Sequence, residues 1–273
     1  MISFTQHSAK QKILQEVVKA CQLLLLTSAS ASPARCYLDS RLSKDAQMEW
    51  RFGYFPVDDR LCELTSIVSK ANLESLKLYH PKLIEGGMAP HGHFSDHNLV
   101  MPFCNVHGEI VSLVGRCLLS EEERQEKELH KYTYTAGCQK DLYAYGLDKA
   151  RDSIIAKDCA ILVEGQFDCI SLHTNGITNA VALGRANMSR YQMFKIHRYT
   201  NNIIIMLDGD DAGQKGKSKI RDKFKDVANI KLISPPTGFK DIDEFFRSSK
   251  DTKEIQHVID MLKSFGRNDG KEN

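Results

Sequence analysis

The chain has 273 residues, of which 42% are hydrophobic and 26% charged, as is typical of a globular protein with a buried core. Its formal net charge is only +2, so contact with nucleic acid requires a local basic patch rather than a field over the whole molecule. The eight cysteines form no CxxC pair, and the longest purely aliphatic run, Leu23 to Leu26, is far too short to cross a bilayer. We therefore expect a cytoplasmic protein with free thiols, no zinc and no contact with a membrane.

The first third of the chain is predicted to be mostly helical. Apolar positions recur at helical spacing over residues 10–26, which predicts one helix. A small polar linker follows. Residues 34–82 are then interpreted as mostly helical, with Ser43 as the N-cap of one of these helices.

The middle of the chain predicts a hairpin. Residues 85–97 are interpreted as a loop whose three histidines, at 91, 93 and 97, lack the nearby cysteine that would complete a zinc site. Two strands around a turn at His107 and Gly108 are predicted within residues 98–119. The charged run at 120–128 is interpreted as a solvated loop or helix face.

From about residue 155, short apolar strands alternate with helical patterns. The four strand segments are, in chain order, AILV, ITNAVALG, NNIIIML and IKLISPP. Strands that alternate with helices through short connections predict a doubly wound parallel sheet with helices on both faces. We therefore expect an α/β fold, in which this sheet follows a mixed α+β region.

Carboxylates follow three of the predicted strands. They are Glu164 and Asp168 after the first strand, Asp208 and Asp210 after the third, and Asp241, Asp243 and Glu244 after the fourth. The carboxyl ends of parallel strands form the functional edge of such a sheet. Clustered carboxylates repel one another, and oxygen ligands alone suit a hard cation, so the pattern predicts a Mg²⁺ or Mn²⁺ site and phosphoryl-transfer chemistry.

A simpler interpretation exists for some of these acids. Asp-Gly is a strong turn signal, so a single DGD sequence is often only a turn. Asp211 is interpreted as the N-cap or first-turn acid of the next helix, and Glu244 would do no more than begin the last helix. Three carboxylate groups on the strand ends of one sheet favour the metal site over a turn.

The sequences LVEGQFD, DGDDAG and KDIDEFF resemble the Toprim module of bacterial DnaG-type primases, which carries EGxxD, DGDxAG and KDxDE in this order. Upstream, LVMPFCNVHGEIVSLVGR and KYTYTAGCQKDLYAYGLDKAR are similar to conserved stretches of the same primases. The resemblance covers roughly residues 34–247. It implies an amino-terminal basic subdomain over 1–152, a Toprim catalytic domain over 153–247, and a carboxy-terminal helix and tail over 248–273.

The resemblance implies a template-directed RNA polymerase core that makes short primers on single-stranded DNA by metal-dependent nucleotidyl transfer. Glu164, Asp208 and Asp210 would be the catalytic metal ligands of a two-metal site. Asp241 and Asp243 would support a second metal ion or the incoming triphosphate. Asp168 would orient Glu164 or a metal-bound water.

Basic residues at family positions are expected to contact nucleotide phosphates or the template. Arg116, Lys131 and Lys140 match such positions, and Arg185 stands in the sequence GRA where the family has GTA. The alternative for each is an ordinary solvated charge. Tyr132, beside Lys131, would either stack on a base or pack within a strand. Lysines 215, 217 and 219 are interpreted as a solvated helix face.

The expected partners are single-stranded DNA and ribonucleoside triphosphates, with a replicative helicase or a separate zinc-binding subunit as further candidates. The family's zinc-binding and helicase-binding domains are not recognised in this sequence, and such a trimmed core would suit a phage, plasmid or mobile element. Two other functions stay open at this point. One is a Toprim nuclease, and the other is a DNA- or helicase-binding module without catalysis.

Overall fold

A computed structural model describes residues 4–84 and 87–266. The chain divides into two compact units. The first runs through Phe103 and resumes over Glu109–Cys138, and the second comprises Cys104–Gly108 and the chain from Gln139 onward. In the described part of the chain, no helix combines the length and apolar character that a membrane crossing needs.

The helices of the first unit are short after the first one. They are α1 (Phe4–Thr27), α2 (Ser32–Asp39), α3 (Lys44–Glu49), α4 (Leu61–Thr65), α5 (Lys70–Ser75) and α6 (Glu121–Glu126). The helix predicted over 10–26 is confirmed within α1. Ser43 caps α3 as predicted, because its side chain accepts a hydrogen bond from the Ala46 N–H. The charged run forms α6, whose first turn holds three glutamates behind the capping residue Ser120.

The strands of the first unit form a four-stranded sheet and a separate hairpin. They are β1 (Gly53–Tyr54), β2 (Tyr79–Ile84), β3 (Gly87–Gly92), β4 (Leu99–Cys104), β5 (Ile110–Arg116) and β6 (Tyr132–Tyr134). The sheet has the order β1-β4-β5-β6, and β2 pairs with β3. The predicted turn between β4 and β5 is confirmed at Gly108, which has a φ of 78°.

One prediction for this unit was wrong, because the loop predicted over 85–97 contains β3. The mostly helical stretch predicted over 34–82 holds α3, α4, α5 and most of α2, but it also contains β1 and the start of β2. Pro81 lies opposite Pro90 in the hairpin, so each strand contains a residue that cannot donate to a ladder and usually argues against a strand. Antiparallel pairing between β2 and β3 nevertheless holds the segment extended.

The second unit is a parallel sheet with helices on both faces. Its strands are β7 (Ala160–Val163), β8 (Ala180–Ala182), β9 (Asn202–Met206) and β10 (Asn229–Leu232), in the order β10-β9-β7-β8. Its helices are α7 (Leu147–Lys157), α8 (Gln166–Thr174), α9 (Arg190–His197), α10 (Asp211–Phe224), α11 (Ile242–Ser248) and α12 (Thr252–Ser264). Each neighbouring strand pair is parallel.

The core explains why β7, β8 and β9 are nearly continuous apolar runs. Every residue of β7 and β8 is buried. One face packs against apolar side chains of α7, α9 and α10. Helices α8 and α11 contribute further buried side chains. Helix α8 contacts β7, β8 and α11. Strands buried on both faces have no polar side to alternate with. The predicted fold class is confirmed, and the parallel order places the ends of β7, β9 and β10 at one edge.

The chain passes from the first compact unit to the second between residues 138 and 139. The functional boundaries expected after residues 152 and 247 stay predictions.

Candidate active site

The end of β7 delivers Glu164, followed by Gly165 and the start of α8. Asp168, in the first turn of α8, is only 6% exposed. Its Oδ2 accepts a hydrogen bond from the Gly165 N–H at 3.0 Å, and its Oδ1 accepts one from the Asp243 N–H at 3.2 Å. Asp168 therefore ties the turn after β7 to the start of α11.

Burial raises the pKa of Asp168 well above its ordinary value, and the charges of Asp241, Asp208 and Asp243 raise it further. The backbone N–H of Asp243 opposes this effect. The charges of carboxylates that follow β9 and β10 therefore reach Asp168, in the helix after β7.

The DGD sequence forms the link from β9 to α10. Asp210 is the N-cap of α10, because its Oδ1 accepts a hydrogen bond from the Gly213 N–H at 2.9 Å. Its Oδ2 lies 3.9 Å from the Lys240 Nζ. Asp211 is the first helical residue, so its prediction as a first-turn acid is confirmed.

Two glycines allow the chain to pack closely here. The Gly209 N–H donates to the Lys240 carbonyl at 2.7 Å, which joins the DGD link to the KDIDEFF segment. A Cβ on Gly213 would lie 2.1 Å from the Asp208 carbonyl oxygen, far inside van der Waals contact. Only glycine fits there, which explains its place in the DGDxAG pattern.

The KDIDEFF segment begins α11, and two of its acids accept backbone hydrogen bonds there. Asp241 Oδ1 accepts from the Glu244 N–H at 2.7 Å, and Glu244 Oε2 accepts from the Lys240 N–H at 2.7 Å. Glu244 thus helps to begin the helix, as the simpler interpretation proposed. Asp243 is 4% exposed, and its Oδ2 accepts from the Arg247 Nε at 2.9 Å.

Among the residues that the structure describes, the acids at this edge are not gathered into a preformed metal site. Within residues 4–84 and 87–266, no three His, Cys, Asp or Glu side chains are gathered as a metal site. The chemistry of the edge still suits a hard divalent cation, because its donors are carboxylate oxygens, and burial together with the charges of neighbouring acids raises the pKa of Asp168. Lys240 and Arg247 provide positive charge beside two of these acids.

Two predicted phosphate-binding residues lie in the second unit. Arg185 follows β8 and forms an ion pair with Asp141. Lys140 begins the short 3-10 helix that carries Asp141. The structure therefore brings the chain segments of Lys140 and Arg185 together.

The other two predicted basic residues lie in the first unit, around Tyr132. The Arg116 guanidinium lies 4.9 Å from the ring centroid of Tyr37 and 5.2 Å from that of Tyr132, whose hydroxyl accepts a hydrogen bond from it. The Lys131 Nζ lies 5.9 Å from the same Tyr132 ring. Both cations thus border one half-buried tyrosine.

The histidines of the segment 85–97 bind separate partners. His91 Nδ1 lies 2.7 Å from Asp58, His93 Nε2 lies 2.8 Å from the Tyr134 carbonyl, and His97 Nε2 lies 2.8 Å from the His130 carbonyl.

Sequence reasoning missed three basic residues at the acidic edge. Lys240 and Arg247 were not singled out, although each lies within four residues of a predicted acid. Lys217 was interpreted as solvated, but it is 2% exposed and donates to the Ile233 carbonyl at 3.2 Å and to the Ser234 hydroxyl at 2.9 Å. Helical spacing would have found Lys217, since it shares a face of α10 with buried Ile220 and Phe224.

A family model described as Toprim-like matches residues 161–246. The chain is 33% identical over 168 residues to a DNA primase of Synechococcus elongatus, covering 59% of this chain and 23% of that protein. It is 30% identical over 241 residues to a DNA primase of Clostridium acetobutylicum, covering 87% and 39%. The chain thus spans about a quarter to two fifths of the length of these curated relatives.

Solved structures give the same fold. The Aquifex aeolicus primase, with its zinc-binding and RNA polymerase domains, matches with a TM-score of 0.75 and 24% identity over 95% of this chain and 62% of that one. A DnaG primase catalytic domain bound to single-stranded DNA matches with a TM-score of 0.73 and 20% identity over 96% and 85%. The chain therefore contains a Toprim-like domain, is a homologue of bacterial DNA primases, and has the fold of the DnaG catalytic core.

Proposed function

We propose that this chain is a primase catalytic core, a DNA-directed RNA polymerase that makes short primers on single-stranded DNA by nucleotidyl transfer. The observation that carries the proposal is the acidic edge, where buried Asp168 accepts hydrogen bonds from the N–H groups of Gly165 and Asp243 and lies near enough to the acids after β9 and β10 for their charges to raise its pKa. Relatives that are DNA primases support the same activity. The chain spans only part of their length, so primer synthesis by this chain is a proposal.

The acids at this edge would hold the divalent ions on which primases and other Toprim proteins generally depend. Glu164, Asp208 and Asp210 would be the catalytic ligands, and Asp241 and Asp243 would support a second Mg²⁺ or Mn²⁺. Such ions would neutralise the charge that develops on the phosphates during transfer.

The chain's own residues prepare this edge. Asp168 is proposed as a positioning residue, since it accepts from the N–H groups of Gly165 and Asp243 and so fixes the backbone on either side of the acids. Lys240 and Arg247 would hold Asp210 and Asp243 in place before ligands bind.

Basic residues would bind the substrates. Arg185 and Lys140 would contact phosphates of the incoming ribonucleotide or the template, and Arg116 and Lys131 would contact the template beside Tyr132. One solved relative is a catalytic domain bound to single-stranded DNA, which supports a DNA template. A replicative helicase or a separate zinc-binding subunit is proposed as a further partner.

The test is a primer-synthesis assay on single-stranded DNA with labelled ribonucleotides and Mg²⁺ or Mn²⁺, with and without a helicase. Asp208→Asn should lower synthesis by about a thousandfold or more, as expected when a group that stabilises developing charge is lost. Asp226→Asn, at an exposed position of the same unit, is the matched control. Both variants should keep the thermal stability of the parent protein.

The same assay separates the rival functions. Cleavage of labelled DNA that depends on Asp208, without incorporation of ribonucleotides, would identify a nuclease instead. DNA or helicase binding that is tight and indifferent to Asp208, with neither synthesis nor cleavage, would identify a binding module.

A further inference from the structure

The outward face of α9 carries aromatic rings and positive charge. Tyr191 and Phe194 are 63% and 66% exposed, although they belong to a helix whose other side packs in the core. Arg190, His197 and Arg198 are exposed as well. The spacing of these five residues places them on one side of the helix, and we call them the α9 face.

The α9 face lies within a long stretch of sequence that contains no acidic residue. Residues 169–207 contain no Asp or Glu, although the whole chain has 35 of them in 273 residues. The helix and its last flanking residue carry three formal positive charges, from Arg190, Lys195 and Arg198. A chain with a net charge of +2 therefore places several positive charges and no acid on this helix. One acid from another segment, Asp141, lies beside the start of the helix, where its carbonyl accepts from the Ser189 hydroxyl and its carboxylate pairs with Arg185.

A cleft extends this surface at the carboxyl end of α9. It has a volume of about 250 Å³, and Lys195, Arg198 and His107 line it together with Tyr143 and Tyr199. The Lys195 Nζ lies 4.0 Å from the centroid of the Tyr143 ring. The combination of cations with aromatic rings therefore continues beyond the helix itself.

The opposite end of α9 lies at the carboxyl edge of the sheet. Ser189 caps α9, and Gln192 donates to the Leu183 carbonyl just after β8. Arg185 lies in the same connection. The α9 face thus begins beside the proposed catalytic edge and runs for about 12 Å along the helix, at about 1.5 Å per residue.

We infer that the α9 face binds the single-stranded DNA template where it passes the catalytic edge, with bases stacked on Tyr191 and Phe194 and phosphates beside Arg190 and Arg198. Flat exposed rings accept any base, and a row of cations on a helix without carboxylates complements a polyanion. The inference rests on the proposed function, because it continues the path of the template past the active edge.

The first experiment asks whether bases stack on the helix. Phe194→Trp adds an exposed fluorophore to a chain whose one tryptophan, Trp50, is buried. Oligo(dT) should quench its emission, with a midpoint that matches binding measured by fluorescence anisotropy. Val227→Trp, at a position that is 51% exposed elsewhere in the same unit, should show no such quenching.

The second experiment separates stacking from charge. Tyr191→Ala combined with Phe194→Ala should raise the Kd for oligo(dT) about tenfold or more without changing its salt dependence. Arg190→Gln combined with Arg198→Gln should reduce the slope of log K against log salt by about 0.7 for each charge removed. Ile155→Ala combined with Val227→Ala removes other exposed apolar area and should leave the Kd unchanged.

An unchanged Kd in the aromatic variant, with no quenching of the tryptophan at position 194, would overturn the inference. Equal quenching by a polyglutamate peptide would also overturn it, because the face would then be a site for acidic protein segments. Binding is measured in proteins that also carry Asp208→Asn, so that the result does not depend on primer synthesis. A chain that stacks bases but makes no primers contradicts the proposed function alone, and a chain that makes primers without stacking contradicts only this surface.

Discussion

The two compact units differ in the kind of polar group that they bury. Among the described residues, the buried polar side chains of the first unit belong to Ser28, Gln47, Ser95, His97, Ser112 and Thr135. None of these is an acid, lysine or arginine, and burial lowers the pKa of His97, which favours its neutral form. The second unit buries Asp168, Lys217 and Asp243.

The difference indicates that the ionisable residues buried in the second unit are not explained by their contribution to stability. Burying a charge costs free energy unless close partners compensate, and apolar replacements are often equally stable. The three buried ionisable residues of the second unit all act at the carboxyl edge of its sheet. Lys217 bonds to Ile233 and Ser234 after β10, and Asp168 bonds to the backbone of Asp243. The first unit, which carries no such edge, follows the ordinary rule.

Gly213→Ala should produce the largest loss. Alanine in place of glycine normally favours a helix by about 1 kcal/mol, but here its Cβ would meet the Asp208 carbonyl. We expect a net destabilisation of about 2 kcal/mol and a loss of primer synthesis, because α10 must shift away from the DGD link. Thermal unfolding and the synthesis assay measure both effects.

Lys215→Ala, at an exposed position of α10, is the control for Gly213→Ala. A stabilised and fully active Gly213→Ala variant would contradict the close packing of α10 on Asp208.

Two substitutions of Lys217 test whether its charge contributes to the stability of the fold. Lys217→Met retains the length of the side chain and removes a charge that burial disfavours, as the lowered pKa of Lys217 indicates. Its unfolding free energy should change by less than about 1 kcal/mol. Lys217→Ala also removes the apolar stem and should cost about 2 kcal/mol. Chemical denaturation compares the two.

If Lys217→Met loses as much stability as Lys217→Ala, its ammonium group holds the fold together. The comparison between the two units would then fail at this residue.

Asp58 provides the smallest effect and tests the first unit. Burial opposes ionisation of Asp58, but hydrogen bonds from Ser95, Gly92 and His91 outweigh it and lower its pKa. A carboxylate with a lowered folded pKa stabilises above its unfolded value, near pH 4, and loses that contribution as the pH falls through the folded pKa. Because the side chain is 44% exposed, we expect about 0.5 kcal/mol or less.

The measurement is the Tm of the parent protein and of Asp58→Asn at pH 7 and pH 3. The parent should be the more stable at pH 7, and the gap should narrow as the pH falls below about 4. Asp59→Asn, at the exposed neighbouring position, controls for the change of net charge. A gap that persists at low pH would show that the carboxylate charge is not what stabilises this contact.

The second unit could be predicted from sequence because its signals are local. Three of the four strands, β7, β8 and β9, are short apolar runs followed by an acid or a glycine, and the connections are short. The hairpin of the first unit could not, since Pro81 and Pro90 disfavour strands and only their pairing across the hairpin keeps both segments extended.

The candidate site was predictable in its residue types and only partly in its contacts. The spacing of the motifs gave the acids, because they follow strands of one sheet. It did not give the ion pair of Asp243 with Arg247 or the approach of Lys240 to Asp210, because those contacts depend on how the helices begin. Lys217 shows the same limit, since its partners lie sixteen and seventeen residues further along the chain.

The N-caps of α10 and α11 have a consequence for conformational entropy. Asp210 and Asp241 each use Oδ1 to accept a backbone N–H, so their rotamers are restricted as soon as the helices form. A ligand that recruits either side chain therefore need not immobilise it again, and it finds one carboxylate oxygen free of the cap. Monodentate contact is the denticity that this geometry favours at both positions, whatever ligand arrives.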